Sequence, residues 1–345
     1  MDALYALQVT WFVLWGVLWS VYFMLDGFVL GMGMLYPFMA RDEKEKRTMI
    51  ATVGPVWDGN EVWLITAGGA TFAAFPTTYA LMFSYLYTAL LLLLFSLIIR
   101  GVSIEFGGKV EKQGWKRFWD VGIFVGGMLP AVLFGIAFGN IFQGLPMDAS
   151  GYHGTLVGLF NPYGLLAGVL FVFLFMVHGA LYVSVKTTGG LSRRAAAFAG
   201  RSWSVLAAVA ILFLVHTYLS TGIFANYLAS PVLFLLPLAA VSSLALIRLQ
   251  LSRGSLAGAF AASCSTIVLV CATGFVGLFP NLIPSSLDTA YSMTITNSSS
   301  SVATLAVMTV VALVFVPVVI AYKAWVYRVF RGPLNPEDID SQKVY

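Results

Sequence analysis

The chain has 345 residues, of which 59% are hydrophobic and 10% charged, and its mean hydropathy is +0.89. A soluble globular domain carries about 25% charged residues, so a water-soluble enzyme of this size is excluded. The net charge of +4 is no nucleic-acid footprint, because membrane topology claims the basic residues first.

Apolar segments run past the roughly 20 residues needed to cross a bilayer as helix. They lack the ~10-residue alternation of an outer-membrane barrel. The expectation is an all-α polytopic membrane protein. Nine spans are predicted, at about 9–40, 50–75, 78–100, 118–142, 160–185, 200–223, 229–249, 255–279 and 303–328. Met1 to Thr10 contain no Lys or Arg, which argues for a first spanning helix rather than a cleaved leader.

The connectors sort by charge. Arg41, Lys44, Lys46 and Arg47 fall after the first span, and Arg100, Lys109, Lys112, Lys116 and Arg117 after the third. Lys186, Arg193, Arg194 and Arg201 follow the fifth, Arg248 and Arg253 the seventh, and Lys323, Arg328, Arg331 and Lys343 close the chain. The alternate connectors, near Pro76 and at 143–159, 224–228 and 280–302, have no Lys or Arg. The positive-inside rule then places the N-terminus outside and the C-terminus in the cytoplasm.

A faint internal echo relates Asp26-Gly27, followed by Arg41, to His178-Gly179, followed by Arg193 at the same interval. It suggests two four-helix bundles, 1–142 and 143–279, then an outer connector at 280–302 and a ninth helix with a tail at 303–345. Gly27/Gly31, Gly122/Gly126 and Gly135/Gly139 have the small-xxx-small spacing that lets helices approach closely. Trp11, Trp15 and Trp19 share one face and read as packing or interfacial anchors, and Trp115 and Trp119 as an interface belt. Cys264 and Cys271, in one apolar stretch, imply no disulfide framework.

The informative residues are acids. Asp26 lies in the first span, Asp58 and Glu61 in the second, and Glu105 and Asp120 at the cytoplasmic edge of the third and fourth. Counted from Ile50 as continuous helix, Asp58 would lie about 12 Å deep and Glu61 ~16 Å. A charge at mid-bilayer costs about 2.5–3.5 kcal/mol on the lenient scale, and the charge map leaves no intramembrane Lys or Arg to neutralise these groups. Two readings stay open for each acid: a hydrogen-bonded structural role, or a step in a proton path from the cytoplasm. His153, His178 and His216 are candidate haem ligands by residue type, but nothing in their spacing singles out a pair, and packed histidines are the plainer reading. Cys-x-x-Cys, Walker and zinc patterns are missing.

Several motifs together resemble subunit II of the cytochrome bd quinol oxidases. They are Asp26-Gly27-Phe28 with Gly31-Met32-Gly33-Met34-Leu35, Trp57-Asp58-Gly59-Asn60 with Val62-Trp63-Leu64-Ile65-Thr66-Ala67-Gly68-Gly69-Ala70, and Trp119-Asp120 with Gly122-Ile123-Phe124. Phe138-Gly139-Asn140 with Gln143-Gly144, Asn161-Pro162 with Gly164-Leu165-Leu166-Ala167-Gly168, and Phe279-Pro280 with Pro284-Ser285-Ser286 extend the likeness along the chain. The resemblance implies two four-helix bundles with a peripheral helix, in a bacterial plasma (inner) membrane. It implies a partner, subunit I, carrying haem b and haem d and oxidising quinol, with no cofactor held by this chain. A small single-helix accessory subunit and membrane lipid are further implied partners. By the same resemblance Asp58 and Glu105 serve proton supply, Glu105 standing where the best-known pattern has aspartate. Asp26 and Glu61 are possible relays, Glu61 departing from the pattern's glutamine. The alternative is a proton-coupled secondary transporter, which calls for broken helices in paired positions; Pro55 and Pro130 are the candidate breaks.

Overall fold

The computed structural model describes residues 2–338, so Lys343 of the charge map lies outside the described residues. The elements are α1 (Ala3–Met39), α2 (Glu43–Val53), α3 (Trp57–Ala74), α4 (Pro76–Tyr85), α5 (Tyr87–Phe106) and α6 (Gln113–Gln143), followed by α7 (Pro162–Lys186), α8 (Gly189–Ser220), α9 (Ala225–Ala229), α10 (Leu235–Ser252), α11 (Leu256–Leu278) and α12 (Val302–Val329). Side-chain caps start several of them: Asp42 accepts from the Glu45 amide at 2.8 Å before α2, and Asn161 from the Gly164 amide at 2.8 Å before α7. The strands among the described residues are two short antiparallel pairs, Met147–Asp148 with Gly151–Tyr152 and Asn281–Ile283 with Met293–Thr294.

Eight helices are long and apolar enough to cross a membrane: α1, α5, α6, α7, α8, α10 with the turn before it, α11 and α12. The all-α polytopic fold expected from composition is therefore the one formed. The second predicted span differs. Instead of continuous helix over 50–75, the chain breaks between Val53 and Trp57. Pro55 has no amide to donate and disfavours helix at the residue before it, so Gly54 to Val56 form a turn. The depths counted from Ile50 do not hold, because Asp58 sits in the first turn of a new helix. α6 runs unbroken through Pro130, so the paired break that the transporter reading calls for is not formed.

α1 is the central element, touching α3, α6, α7, α11 and α12. Its crossing with α7 is backbone on backbone: a Cβ on Gly31 would collide with the Phe175 carbonyl, and one on Gly179 would lie 2.5 Å from the Gly31 carbonyl carbon. Below it Trp19, Phe23, Phe134, Phe138 and Phe171 pack edge to face at 5.2–6.1 Å, the favoured aromatic geometry. α12 lies on the outside, with Leu305 and Val326 as its buried residues.

The 280–302 segment is no loose boundary. The Leu145 amide donates to the Pro284 carbonyl at 2.9 Å and the Ser300 amide to the Ala74 carbonyl at 2.9 Å. Ser299 accepts from the Gln8 amide group at 2.7 Å, and Ser298 from Thr78 at 2.9 Å. The serine run stitches this end of the helices together, its hydroxyls satisfying backbone that apolar residues would leave bare. At the opposite end ion pairs join distant connectors: Lys46 to Asp120 at 2.6 Å, Arg47 to Glu111 at 3.2 Å, Arg194 to Glu45, and Lys44 to Glu337 at 3.6 Å. The exposed ones contribute little stability but show that these connectors share one end.

Candidate functional site

Three consecutive residues of α1 each receive a donor from a different helix. The Met24 carbonyl accepts from His178 Nε2 on α7 at 2.9 Å, the Leu25 carbonyl from Asn60 Nδ2 on α3 at 2.7 Å, and Asp26 Oδ2 from Arg100 Nη1 on α5 at 2.9 Å. A carbonyl can only accept, so His178 carries its proton on Nε2 and its Nδ1 takes the Ser263 hydroxyl at 2.6 Å. The ring also stacks on Phe260 at 5.0 Å. With both nitrogens engaged, His178 is a packed histidine and ill suited to an axial-ligand role. His153 lies apart, bonded to Asp148 in the 147–152 hairpin.

Arg100 is the correction to the charge map. α5 extends to Phe106, so Arg100 lies inside the helix, 1% exposed, rather than in a connector. Its second nitrogen holds Glu61 Oε1, whose side chain is 24% exposed. Gly126 permits this placement: a Cβ there would strike the Arg100 backbone and Cβ. The acids thus have an intramembrane cation, and two carboxylates share it. Asp26 Oδ1 and the Tyr22 hydroxyl lie buried one turn apart on α1, and Arg100 Nε has no hydrogen-bond partner among the described residues.

Asn60 is the second residue whose role spacing did not show. Its Oδ1 accepts from Tyr327 at 3.0 Å and Lys323 Nζ at 3.3 Å. Lys323, inside the predicted ninth span and counted among the basic residues that close the chain, lies in α12 beside Gly59. Asp58 is on the exposed side of α3, and among the described residues its Oδ1 is taken only by the Gly59 amide at 2.5 Å. The same side presents Val62, Ile65 and Phe72, with open space over Gly68 and Gly69. Glu105 is exposed near the end of α5 and makes no hydrogen bond or ion pair among the described residues. One turn before it, Gly101 packs on the ring of Trp57, the residue before Asp58, and this contact forms the α3–α5 seam. Asp120 is not on it, being paired with Lys46.

Among the titratable groups outside the spans, Glu111 and Asp148 are displaced downward from their ordinary values. A hydrogen bond from Lys116 holds Glu111 below the usual carboxylate range, and one from His153, helped by Ser150, brings Asp148 down to about 2.

Fold and site together define a multi-pass membrane protein with a buried carboxylate–guanidinium cluster opening onto an uncovered helix face. The chain belongs to the cytochrome bd terminal oxidase subunit II family, whose model matches residues 7–330. It is 37% identical to cytochrome bd-I ubiquinol oxidase subunit 2 of Escherichia coli (strain K12), over 97% of each chain. It is 35% identical to cytochrome bd ubiquinol oxidase subunit 2 of Bacillus subtilis (strain 168), over 96% of this chain and 98% of that one. In fold it is similar to a chain of the bd oxidase structure from Geobacillus thermodenitrificans, with a TM-score of 0.78, 16% identity and coverage of 94% and 98%. The protein is a subunit of an oxidoreductase complex in a bacterial plasma (inner) membrane.

Proposed function

We propose that this chain supports a haem-bearing subunit I, which holds haem b and haem d and oxidises quinol, and that it carries part of the proton route by which that partner reduces oxygen to water. The relatives are ubiquinol oxidase subunits by name; quinol, the haems of the partner and a single-helix accessory subunit come to this chain through that kinship. In this reading α2 and α3 form one broken crossing, making nine, and the basic end faces the cytoplasm. The bundles are 1–142 and 143–279.

One observation carries the reading: two carboxylates, Asp26 and Glu61, share the single charge of Arg100, one turn from an exposed Asp58. With both acids ionised the triad has a formal charge of −1. With one proton it is neutral and the guanidinium keeps a partner. It can accept and release a proton without stranding a buried charge, which is the costly state in a low dielectric. The route runs from Glu105 along the α3–α5 seam to Asp58, then to Glu61 and Asp26. Arg100 is a positioning residue, and the partner covers the exposed side of α3.

The test is Asp58→Asn in the intact complex. Oxygen consumption falls at least tenfold, as removal of a proton-transfer group does, while haem absorbance per complex is kept. Unchanged turnover overturns the relay; loss of haem overturns it in favour of a structural Asp58.

A further inference from the structure

The second half of the chain has an unusual charge inventory. No Asp or Glu occurs between Asp148 and Asp288, whereas Lys186, Arg193, Arg194, Arg201, Arg248 and Arg253 all fall in that stretch. Arg194 finds a carboxylate on α2, Glu45. Arg193, Arg201 and Arg248 have no ion-pair partner among the described residues, and all three line one cleft of about 760 Å³ between α8 and α10.

The cleft is built to bring these guanidiniums together. Ser192, Ala196, Gly200 and Ser204 form one ridge of α8, and Arg193, Ala197 and Arg201 the next. Positions four apart share a helix face, so small side chains form the floor and the arginines the wall. Arg201 Nε donates to the Ala197 carbonyl at 3.3 Å, and Arg248 Nη1 reaches across from α10 to the Gly200 carbonyl at 3.4 Å. A Cβ on Gly200 would lie 3.3 Å from that nitrogen, so glycine lets the guanidinium approach the backbone. Both arginines are thus fixed within one turn of α8, each with most of its five donors unspent. Next to this ridge the Trp203 indole donates to the Leu244 carbonyl at 2.8 Å and ties α8 to α10. Val205 and Leu249, the chain neighbours of the lining Ser204 and Arg248, are exposed apolar side chains.

We propose that this cleft binds the phosphate of an anionic phospholipid from the leaflet at the basic end, held by Arg193, Arg201 and Arg248. Planar guanidiniums match phosphate oxygens two at a time, and basic pockets between membrane helices at this level suit lipid headgroups. The exposed apolar flank selects a lipid over a free anion, because it offers acyl chains a surface continuous with the headgroup site.

The test uses the intact complex, delipidated in detergent. Native mass spectrometry counts retained phosphatidylglycerol against phosphatidylcholine, with millimolar inorganic phosphate as competitor. Phosphatidylglycerol is retained preferentially, phosphate does not displace it, and Arg248→Gln weakens retention about fivefold, the worth of one basic residue near an anionic surface. The triple change Arg193→Gln, Arg201→Gln, Arg248→Gln abolishes the preference, whereas Lys112→Gln in the other half leaves it intact. Preference that survives the triple change overturns the site. Displacement by inorganic phosphate overturns the lipid and leaves a small-anion site. Should the triple variant fail to assemble, Arg201→Lys and Arg248→Lys keep the charge but remove the fork; retention unaltered in both overturns the guanidinium assignment.

Discussion

Asp26 and Arg100, 74 positions apart in sequence, form an ion pair at 2.9 Å with both side chains 1% exposed. Glu61 closes on the same guanidinium from a third helix, so one cation ties α1, α3 and α5 at a single level. Burying such a group is expensive unless every partner is in place. The triad is therefore a structural joint as well as a chemical one, and the two roles separate by experiment.

Removing only the cation leaves the buried Asp26 carboxylate without its counter-charge and the partly exposed Glu61 beside it. Arg100→Gln is expected to lower the stability of the complex by about 3–5 kcal/mol, the cost of breaking a buried pair from one side, read as a fall in melting temperature. The triple change Arg100→Gln, Asp26→Asn, Glu61→Gln removes the charges together and recovers most of that stability, while oxygen consumption stays low. Recovery of turnover with stability would show that the triad only holds helices.

The acids were legible in the sequence because a carboxylate in an apolar run is conspicuous at any register. Arg100 was not, since its position at the end of a leucine-rich run looks the same whether the helix stops there or continues another turn. Only the continuation of α5 to Phe106 carries the side chain inward. Lys323 and Asn60 escaped for a related reason: their meeting depends on where α12 lies against α3, a contact that no local spacing encodes. By contrast Gly31, four residues after Gly27, announced a close crossing, because small residues at that spacing on membrane helices have one dominant use.

Glu105 has no hydrogen-bond or ion-pair partner among the described residues, and its loss should leave the chain's stability within about 0.5 kcal/mol, as for an ordinary surface substitution. Glu105→Gln is nonetheless expected to slow oxygen consumption severalfold in the assembled enzyme, and Glu105→Asp to restore most of it. A Gln variant with full turnover would remove Glu105 from the route and leave Asp58 as its entrance.

At the opposite end, the Asp148–His153 contact has a defined pH dependence. Asp148 is held down to about 2 by His153 and Ser150, so ionised Asp148 favours the folded hairpin. That contribution is complete above the ordinary carboxylate pKa of about 4 and is lost as pH falls from there through about 2. The Ser150 amide, which donates to Asp148 at 2.7 Å, should lose hydrogen-exchange protection over that window, after correction for intrinsic rates. Asp148→Ala should lack the protection at every pH, with oxygen consumption unchanged.

Asn60 ties α12 to α1 through three bonds, two to α12 and one to α1, that a single substitution dissects. Its amide nitrogen is committed to the Leu25 carbonyl, so its oxygen is the acceptor for Tyr327 and Lys323. Asn60→Ala removes both functions, strands two donors of α12 and is expected to cost about 1–3 kcal/mol. Tyr327→Phe removes one donor and leaves Asn60 two partners, so it should cost no more than about 1.5 kcal/mol. Asn60→Asp separates the functions. It strengthens acceptance from Lys323 but puts a carboxylate oxygen where Nδ2 lies 2.7 Å from the Leu25 carbonyl, an acceptor facing an acceptor. If anchoring of α12 is what matters, Asp is tolerated and protease cleavage after α12, near Arg331, stays slow. If the bond to α1 is what matters, Asp is as damaging as Ala although its ion pair with Lys323 is intact. Because α12 buries little else than Leu305 and Val326, we expect slow cleavage with Asp and fast cleavage with Ala.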